Sequence, residues 1–130
     1  MASASDILVV EDDVGIRQTI AECLEVEGYR VRQADGGAQA FAEIERGGVP
    51  GLVFLDYVMP TMNGQQVLAR LRGDPATARV PVVVMTAALP VLTQPIEGAD
   101  ALLAKPFELD DLLAIVERFC GKPKEAGAQL

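Results

Sequence analysis

Short runs of apolar residues alternate along the chain with segments whose apolar residues recur at helical spacing. The runs that we interpret as strands are residues 7–10, 29–34, 52–55, 80–86 and 101–104. Strands that alternate with helices form βαβ units, which build a parallel sheet. The first, third and fourth runs are almost continuously apolar, as expected of strands that helices cover on both faces. The pattern therefore predicts a doubly wound α/β domain: a five-stranded parallel sheet with helices on both faces.

The segments between the runs carry helix start and stop signals. Apolar residues at helical spacing predict a first helix that ends at Gly28 and a second that ends at Gly47 and Gly48. Asn63 is a predicted cap for a third helix, and residues 107–119 form a clear amphipathic final helix. We interpret Asp6, Asp35, Asp74 and Asp110 as turn or cap residues. Residues 1–121 are predicted to form the domain, and residues 122–130 a polar tail.

Composition narrows the possible functions. Half of the 130 residues are hydrophobic but only 5% are aromatic, which predicts one domain with an aliphatic core. The net charge of −8 argues against nucleic acid as a direct ligand, because phosphate backbones are neutralised by Lys and Arg. The lack of histidine excludes catalysis and metal sites that depend on this residue. We interpret Cys23 and Cys120, which form no CxxC motif, as small buried hydrophobes.

Targeting signals are not evident in the sequence. The polar N-terminal residues do not resemble a signal peptide. The longest nearly apolar run, residues 80–92, is interrupted by prolines and is shorter than the roughly 20 residues that a membrane-spanning helix needs. We therefore predict a soluble, cytoplasmic protein with no membrane partner.

Polar side chains follow four of the five predicted strands. Ligand sites in doubly wound folds lie at the carboxyl ends of the strands, so these residues are expected to converge. They are Glu11, Asp12 and Asp13 after the first strand, Asp56 after the third, Thr86 at the end of the fourth and Lys105 after the fifth. Asp13 alone is equally well explained as a helix cap, but a cap does not account for Asp12 and Asp56 together.

Clustered carboxylates repel one another, and a divalent cation would relieve that repulsion. Oxygen ligands with room for several waters suit Mg²⁺. A carboxylate nucleophile, a hard cation, a lysine and a hydroxyl are together the groups that phosphoryl transfer requires. The sequence therefore predicts that the Asp56 carboxylate attacks phosphorus and accepts a phosphoryl group at this edge of the sheet.

Four motifs resemble the receiver domains of two-component response regulators. They are ILVVEDD, LDYVMPTMNG, VPVVVMTA and GADALLAKPF, and they span residues 6 to 120 in the family's order and spacing. The resemblance implies a flavodoxin-like sheet with strand order 2-1-3-4-5. It also implies a phosphoacceptor signalling module, not an enzyme, which catalyses only its own phosphorylation and slow dephosphorylation. The expected partners are a sensor histidine kinase or a histidine phosphotransfer protein, together with an unknown downstream protein.

The resemblance also implies a role for each site residue. Asp56 would be the phosphoacceptor, and Asp56, Asp12 and the Val58 backbone carbonyl would bind Mg²⁺ directly, while Glu11 would act through a water. Thr86 and Lys105 would each contact a phosphoryl oxygen, and the Lys105–Pro106 bond is often cis in this family. Pro60 and Gly64 would shape the loop beyond Asp56.

Two departures from the family pattern concern signal output. Leu102 stands where receivers usually have an aromatic residue, and Pro90 and Pro95 fall where a fourth helix is expected. Because proline disrupts helix interiors, we predict that this helix is short or absent. The alternative to a phosphorylated receiver is a pseudo-receiver, a protein-binding module that works without phosphorylation. A haloacid-dehalogenase-type phosphatase is disfavoured because Val58 occupies the position of its second aspartate.

Overall fold

A computed structural model describes residues 3–59, 62–87 and 96–122, with side chains from Asp6 onward. The elements are β1 (Ser3–Val10), α1 (Val14–Val26), β2 (Arg30–Ala34), α2 (Gly37–Gly47), β3 (Pro50–Asp56), α3 (Gly64–Gly73), β4 (Val82–Thr86), β5 (Ala101–Ala104) and α4 (Leu109–Cys120). The strands form one parallel sheet in the order β2-β1-β3-β4-β5. This confirms the predicted fold class and strand order. Within these ranges, no helix has both the length and the apolar character needed to cross a membrane.

The sheet separates two hydrophobic clusters, one on each face. Successive side chains of a strand point to opposite faces, so Ile7 and Val9 belong to one cluster while Leu8 and Val10 belong to the other. The first cluster is completed by α1 and α4, and the second by α2 and α3. These two faces explain why the central strands are apolar at nearly every position. We call them the α1/α4 face and the α2/α3 face.

Helix ends follow the signals in the sequence. Asp13 caps α1, and its Oδ1 accepts a hydrogen bond of 2.9 Å from the N–H of Ile16. Asn63 caps α3 in a reciprocal capping box with Gln66. Beyond α1, Gly28 adopts a φ of 104°, a left-handed conformation that glycine adopts without the steric cost that other residues incur. These caps confirm the predicted role of Asn63, and of the two interpretations left open for Asp13 they support the helix cap.

Asp6 is not the turn or cap residue that we predicted. It lies inside β1 and is buried, and its Oδ2 is 3.1 Å from the Arg32 guanidinium on the adjacent β2. Arg32 also donates hydrogen bonds to the carbonyls of Glu43 and Gly48 around the end of α2. The carboxylate is stable in the sheet because this charged partner satisfies it. The two cysteines are partly buried against the α1/α4 face, less deeply than predicted.

Arg72 on α3 holds the chain that leads into β5. Its guanidinium donates to the carbonyls of Gly98 and Val80 and pairs with the Asp100 carboxylate at 2.9 Å. The same carboxylate accepts a hydrogen bond of 2.8 Å from the N–H of Val82 at the start of β4. Residues 97 and 98 form a turn before β5.

Several predictions fall outside the described residues. The short or absent fourth helix was predicted over residues 88–98, of which residues 88–95 lie outside the described ranges. Residues 123–130 of the predicted tail and Pro60 also lie outside them. Leu102, the departure from an aromatic residue, is described and lies on β5 with 36% of its surface exposed.

Candidate functional site

The predicted site residues lie at one edge of the sheet because parallel strands present their carboxyl ends together. Glu11 and Asp12 directly follow β1, Asp56 is the last residue of β3, Thr86 is the last residue of β4, and Lys105 directly follows β5. The register places Asp56 opposite Met85, and Thr86 opposite Ala104. The N–H of Glu11 donates to the Ala34 carbonyl, which extends the pairing of β1 and β2 into the site.

Lys105 connects the ends of β1 and β3. Its Nζ is 2.6 Å from Glu11 Oε1 and 3.4 Å from Asp56 Oδ1. Glu11 and Asp56 are 1% and 5% exposed, so both carboxyl groups lie in a nearly dry environment. Charged groups at such depth need a partner, and Lys105 supplies one to both.

Three carboxyl groups are close enough to hold one cation. Glu11, Asp12 and Asp56 each offer an oxygen, and these oxygens lie within 4.8 Å of one another. Glu11 and Asp56 are buried while Asp12 is exposed, so the group opens to solvent on one side. A set of carboxylate oxygens with access to water fits Mg²⁺, which prefers hard oxygen ligands and retains several waters. The residues present therefore fit the predicted ion.

The protonation of Asp56 reflects this crowding. Burial raises the pKa of its carboxyl from 3.8 to about 7, and the hydrogen bond and negative charge of Glu11 act in the same direction. The charge of Lys105 and the N–H of Val58, 3.3 Å from Asp56 Oδ1, oppose the rise without cancelling it. Burial lowers the pKa of Lys105, but its hydrogen bond to Glu11 and the charges of both carboxylates raise it above its ordinary value overall.

Tyr57, which directly follows Asp56, packs tightly against the start of α3. The N–H of Gly64 donates to the Tyr57 carbonyl at 2.8 Å. A β-carbon at Gly64 would lie 2.6 Å from Tyr57 Cα and 3.0 Å from the Asp56 carbonyl oxygen. Only glycine allows this approach without displacing the backbone next to Asp56. Gly64 therefore helps to fix where β3 ends.

Thr86 and Lys105 are linked through the backbone as well as by position. Thr86 is 1% exposed, and its carbonyl accepts a hydrogen bond of 2.9 Å from the Lys105 N–H. The Lys105–Pro106 peptide bond is cis, as the family resemblance implied. A cavity of about 580 Å³ opens beside Lys105, between the first half of α1 and the segment that leads into α4. Its lining is mostly apolar and includes Ile16, Ile20 and Phe107.

Sequence reasoning missed Arg17, which contacts the acidic loop. Its guanidinium donates to the Glu11 carbonyl at 2.8 Å and to Gln33 Oε1 at 3.3 Å. An arginine near the start of a helix is ordinarily a solvated surface residue, and its contact with the loop after β1 depends on how α1 lies against the sheet. Its spacing of four residues from the cap Asp13 is the one sequence signal that could have placed it near the site.

The family model and the curated relatives of this chain point to the same protein family. The family model for the response regulator receiver domain matches residues 7–117. The chain is 34% identical over 114 residues to sporulation initiation phosphotransferase F of Bacillus subtilis, which covers 87% of this chain and 91% of that protein. It is 39% identical over 116 residues to the DNA-binding dual master transcriptional regulator RpaA of Synechocystis. That match covers 85% of this chain but 46% of RpaA, so the chain spans less than half of this relative's length.

Solved structures agree with the sequence comparison. The chemotaxis protein CheY4 of Vibrio cholerae superposes with a TM-score of 0.78 and 27% identity, over 88% of this chain and 97% of that one.

Proposed function

The chain belongs to the response regulator receiver domain family, and on that premise we propose that Asp56 accepts a phosphoryl group from a phosphohistidine. The donor would be a sensor histidine kinase or a histidine phosphotransfer protein, the partners with which this family works in two-component signalling. The observation that supports the proposal best is the contact of one buried carboxyl, Asp56, with both Lys105 and the acidic loop after β1.

The proposed reaction transfers a phosphoryl group from a histidine nitrogen of the donor to a carboxylate oxygen of Asp56. A carboxylate oxygen of Asp56 forms a bond to phosphorus as the bond between phosphorus and the histidine nitrogen breaks. The electron pair of the broken bond stays on the imidazole nitrogen, and Asp56 becomes an acyl phosphate. Asp56 must be ionised to attack, and its raised pKa opposes that in the metal-free protein. Proximity to Lys105 favours the ionised form.

The other site residues would act on the oxygens of the transferred group. Lys105, already 3.4 Å from Asp56 Oδ1, would pair with one phosphoryl oxygen, and the Thr86 hydroxyl would donate to another. Asp12 and Asp56 would hold Mg²⁺ directly with the Val58 carbonyl, and Glu11 would hold it through a water. When bound, the ion would neutralise negative charge on the carboxylates and on the phosphoryl oxygens.

Partner recognition follows from the position of the site. The apolar cavity is lined by Lys105, whose Nζ is 3.4 Å from Asp56 Oδ1, so we propose that a phosphodonor protein approaches over the start of α1. The net charge of −8 still predicts that this domain itself does not contact nucleic acid, although the relative RpaA is a DNA-binding regulator. A cytoplasmic location stays a prediction from the sequence.

Phosphorylation from a small phosphodonor tests the assignment. Wild-type protein incubated with Mg²⁺ and acetyl phosphate should gain one phosphoryl group, detected by intact mass, whereas Asp56→Asn should gain none. Asp110→Asn is the matched control, because Asp110 is an exposed carboxylate on α4. Equal labelling of Asp56→Asn and wild type would refute Asp56 as the acceptor. A wild-type chain that takes no label would favour the module that works without phosphorylation.

A further inference from the structure

We infer that Arg17 is a positioning residue that orients the acidic loop after β1 and thereby sets the affinity of the site for Mg²⁺. This inference rests on the proposed function, since it assigns the ion to the group formed by Glu11, Asp12 and Asp56. Arg17 touches neither the ion's expected ligand oxygens nor Asp56 in the described contacts. Its effect would pass through the backbone that carries two of the three carboxylates.

The first argument is how firmly Glu11 is held. Its N–H donates to the Ala34 carbonyl at 3.0 Å, and its carbonyl accepts from Arg17 at 2.8 Å. On the side chain, Oε1 accepts from Lys105 at 2.6 Å and Oε2 accepts from the Asp13 N–H at 3.2 Å. Each contact comes from a different part of the fold. Among them, Arg17 fixes the carbonyl, which belongs to the peptide bond that leads into Asp12.

The second argument is the exposure of Asp12. Glu11 and Asp56 are buried and ordered by their partners, whereas Asp12 is exposed and projects from a loop. Rotation of the Glu11–Asp12 peptide would carry the Asp12 carboxylate away from the other two. A charge-assisted hydrogen bond from Arg17 to the Glu11 carbonyl opposes that rotation. Arg17 thus preorganises the one ligand that the core does not hold.

The third argument is charge. Three carboxylates with oxygens within 4.8 Å repel one another, and this repulsion favours opening of the loop when no cation is bound. The guanidinium of Arg17 places a permanent positive charge next to the loop. Arg17 is also tied into the first turn of α1 through its N–H, which donates to the Asp13 carbonyl at 2.9 Å. The helix therefore anchors the guanidinium against the loop.

A purely structural role for Arg17 predicts something different. Through Gln33, 3.3 Å away, Arg17 also connects α1 to β2, and that contact alone would affect folding stability without affecting metal affinity. Gln33→Ala removes this second contact and leaves the Glu11 contact intact. The two variants therefore separate positioning of the loop from tethering of the helix.

The experiment measures Mg²⁺ affinity by NMR titration of amide shifts in the full chain. Arg17→Met should weaken binding by about 10-fold, the scale of lost outer-sphere support at metal sites. Arg17→Lys, which keeps the charge and one donor, should recover most of that affinity, and Gln33→Ala should bind as wild type does. Arg30→Met, which removes an exposed charge on β2, is the matched control and should not change affinity. Asp12→Ala gives the affinity of a site that lacks a ligand.

A second measurement needs no metal. In the metal-free protein, the amide shifts of Asp12 and Asp13 should move in Arg17→Met and stay in place in Arg30→Met. If Arg17→Met does not fold, Arg17→Gln, which is too short to reach the Glu11 carbonyl, takes its place in both measurements. Wild-type affinity in the Arg17 variant, or an equal loss in Gln33→Ala, would overturn the inference while leaving the proposed function intact. Absence of Mg²⁺ binding in the wild type would overturn both.

Discussion

Burial of the Asp56 carboxyl at the functional site destabilises its ionised form. It lies at the end of a strand whose other inner residues are apolar, and it is 5% exposed. Glu11 adds a second buried acid beside it, and Lys105 compensates only in part, since the pKa of Asp56 still rises to about 7. The site therefore contains unfavourable electrostatic energy that a bound cation would relieve.

Because the ionised carboxylate of Asp56 is unfavourable in the folded protein, Asp56→Asn should be more stable than wild type in the absence of Mg²⁺, by an amount that grows with pH. A carboxyl whose folded pKa is raised from 3.8 to about 7 contributes stability that is fully present below about pH 4 and is lost as pH rises through 7. Each pKa unit corresponds to about 1.4 kcal/mol, so the variant should exceed wild type by on the order of 2–4 kcal/mol at pH 8. The raised pKa of Lys105 lies above this pH range and does not alter the trend.

Urea unfolding between pH 5 and pH 8 in a chelator measures the effect. The stability difference between Asp56→Asn and wild type should widen with pH and shrink when Mg²⁺ is added. Asp110→Asn, an exposed carboxylate variant, should show no such trend. A difference that stays constant across this range would contradict the burial argument.

The sequence predicts the positions and contacts of some residues better than those of others. Glu11, Asp12, Asp56 and Lys105 could be placed together because each follows a strand of a parallel sheet, and the structure brings them into contact. Asp6 was misjudged because an acid in a short strand resembles a turn residue until its partner Arg32, on another strand, is known. Long-range pairs of this kind leave no local pattern in the sequence.

At the scale of elements, the start of α3 packs closely against the end of β3. Gly64 is the first residue of α3 and contacts the backbone of Asp56 and Tyr57, while Gly73 is the last residue of the same helix and has open space around it. Packing therefore requires a glycine at position 64 but does not require one at position 73.

Gly64→Ala should destabilise the protein by about 1–3 kcal/mol, because the added methyl group forces the backbone of Tyr57 to move. The same movement should displace Asp56 and slow labelling by acetyl phosphate. Gly73→Ala should be neutral or stabilising by up to about 1 kcal/mol, since alanine favours helices and meets no neighbour. Chemical denaturation of both variants makes the comparison, and equal effects at the two positions would contradict it.

Element bounds were predictable where local signals mark them. The caps Asp13 and Asn63 gave the starts of α1 and α3, and Ala101–Ala104 was predicted residue for residue. The predicted third strand began at Leu52, whereas β3 begins at Pro50. Strand starts depend on which backbone groups meet a neighbouring strand, and Ser3 of β1 pairs with Pro50 here. Apolar patterning alone does not reveal such pairing.

For the whole molecule, the sheet is the boundary between two cores. The α1/α4 face contains Ile20 and Val116, and the α2/α3 face contains Val67. The alternation of strands and helices predicted both faces, but the order of the strands came from the family resemblance. Hydrophobic patterning does not distinguish one order of buried parallel strands from another.

Substitutions on opposite faces should be additive. Ile20→Val is expected to cost about 1 kcal/mol and Val67→Ala about 2 kcal/mol. Combined, they should cost the sum to within about 0.5 kcal/mol, because the sheet lies between them. Ile20→Val with Val116→Ala, both on the α1/α4 face, should deviate further from the sum. Urea denaturation of the single and double variants tests this, and strong coupling across the sheet would show that the two cores are not independent.

The ion pair between Lys105 and Glu11 joins residues 94 positions apart in the chain. During synthesis, the acids that follow β1 and β3 emerge from the ribosome well before Lys105 does. A nascent chain therefore passes through a stage at which its acidic residues are present without the lysine that compensates them. On the proposed function, a chain whose synthesis has not yet reached Lys105 lacks one of the groups that would stabilise the transferred phosphoryl group.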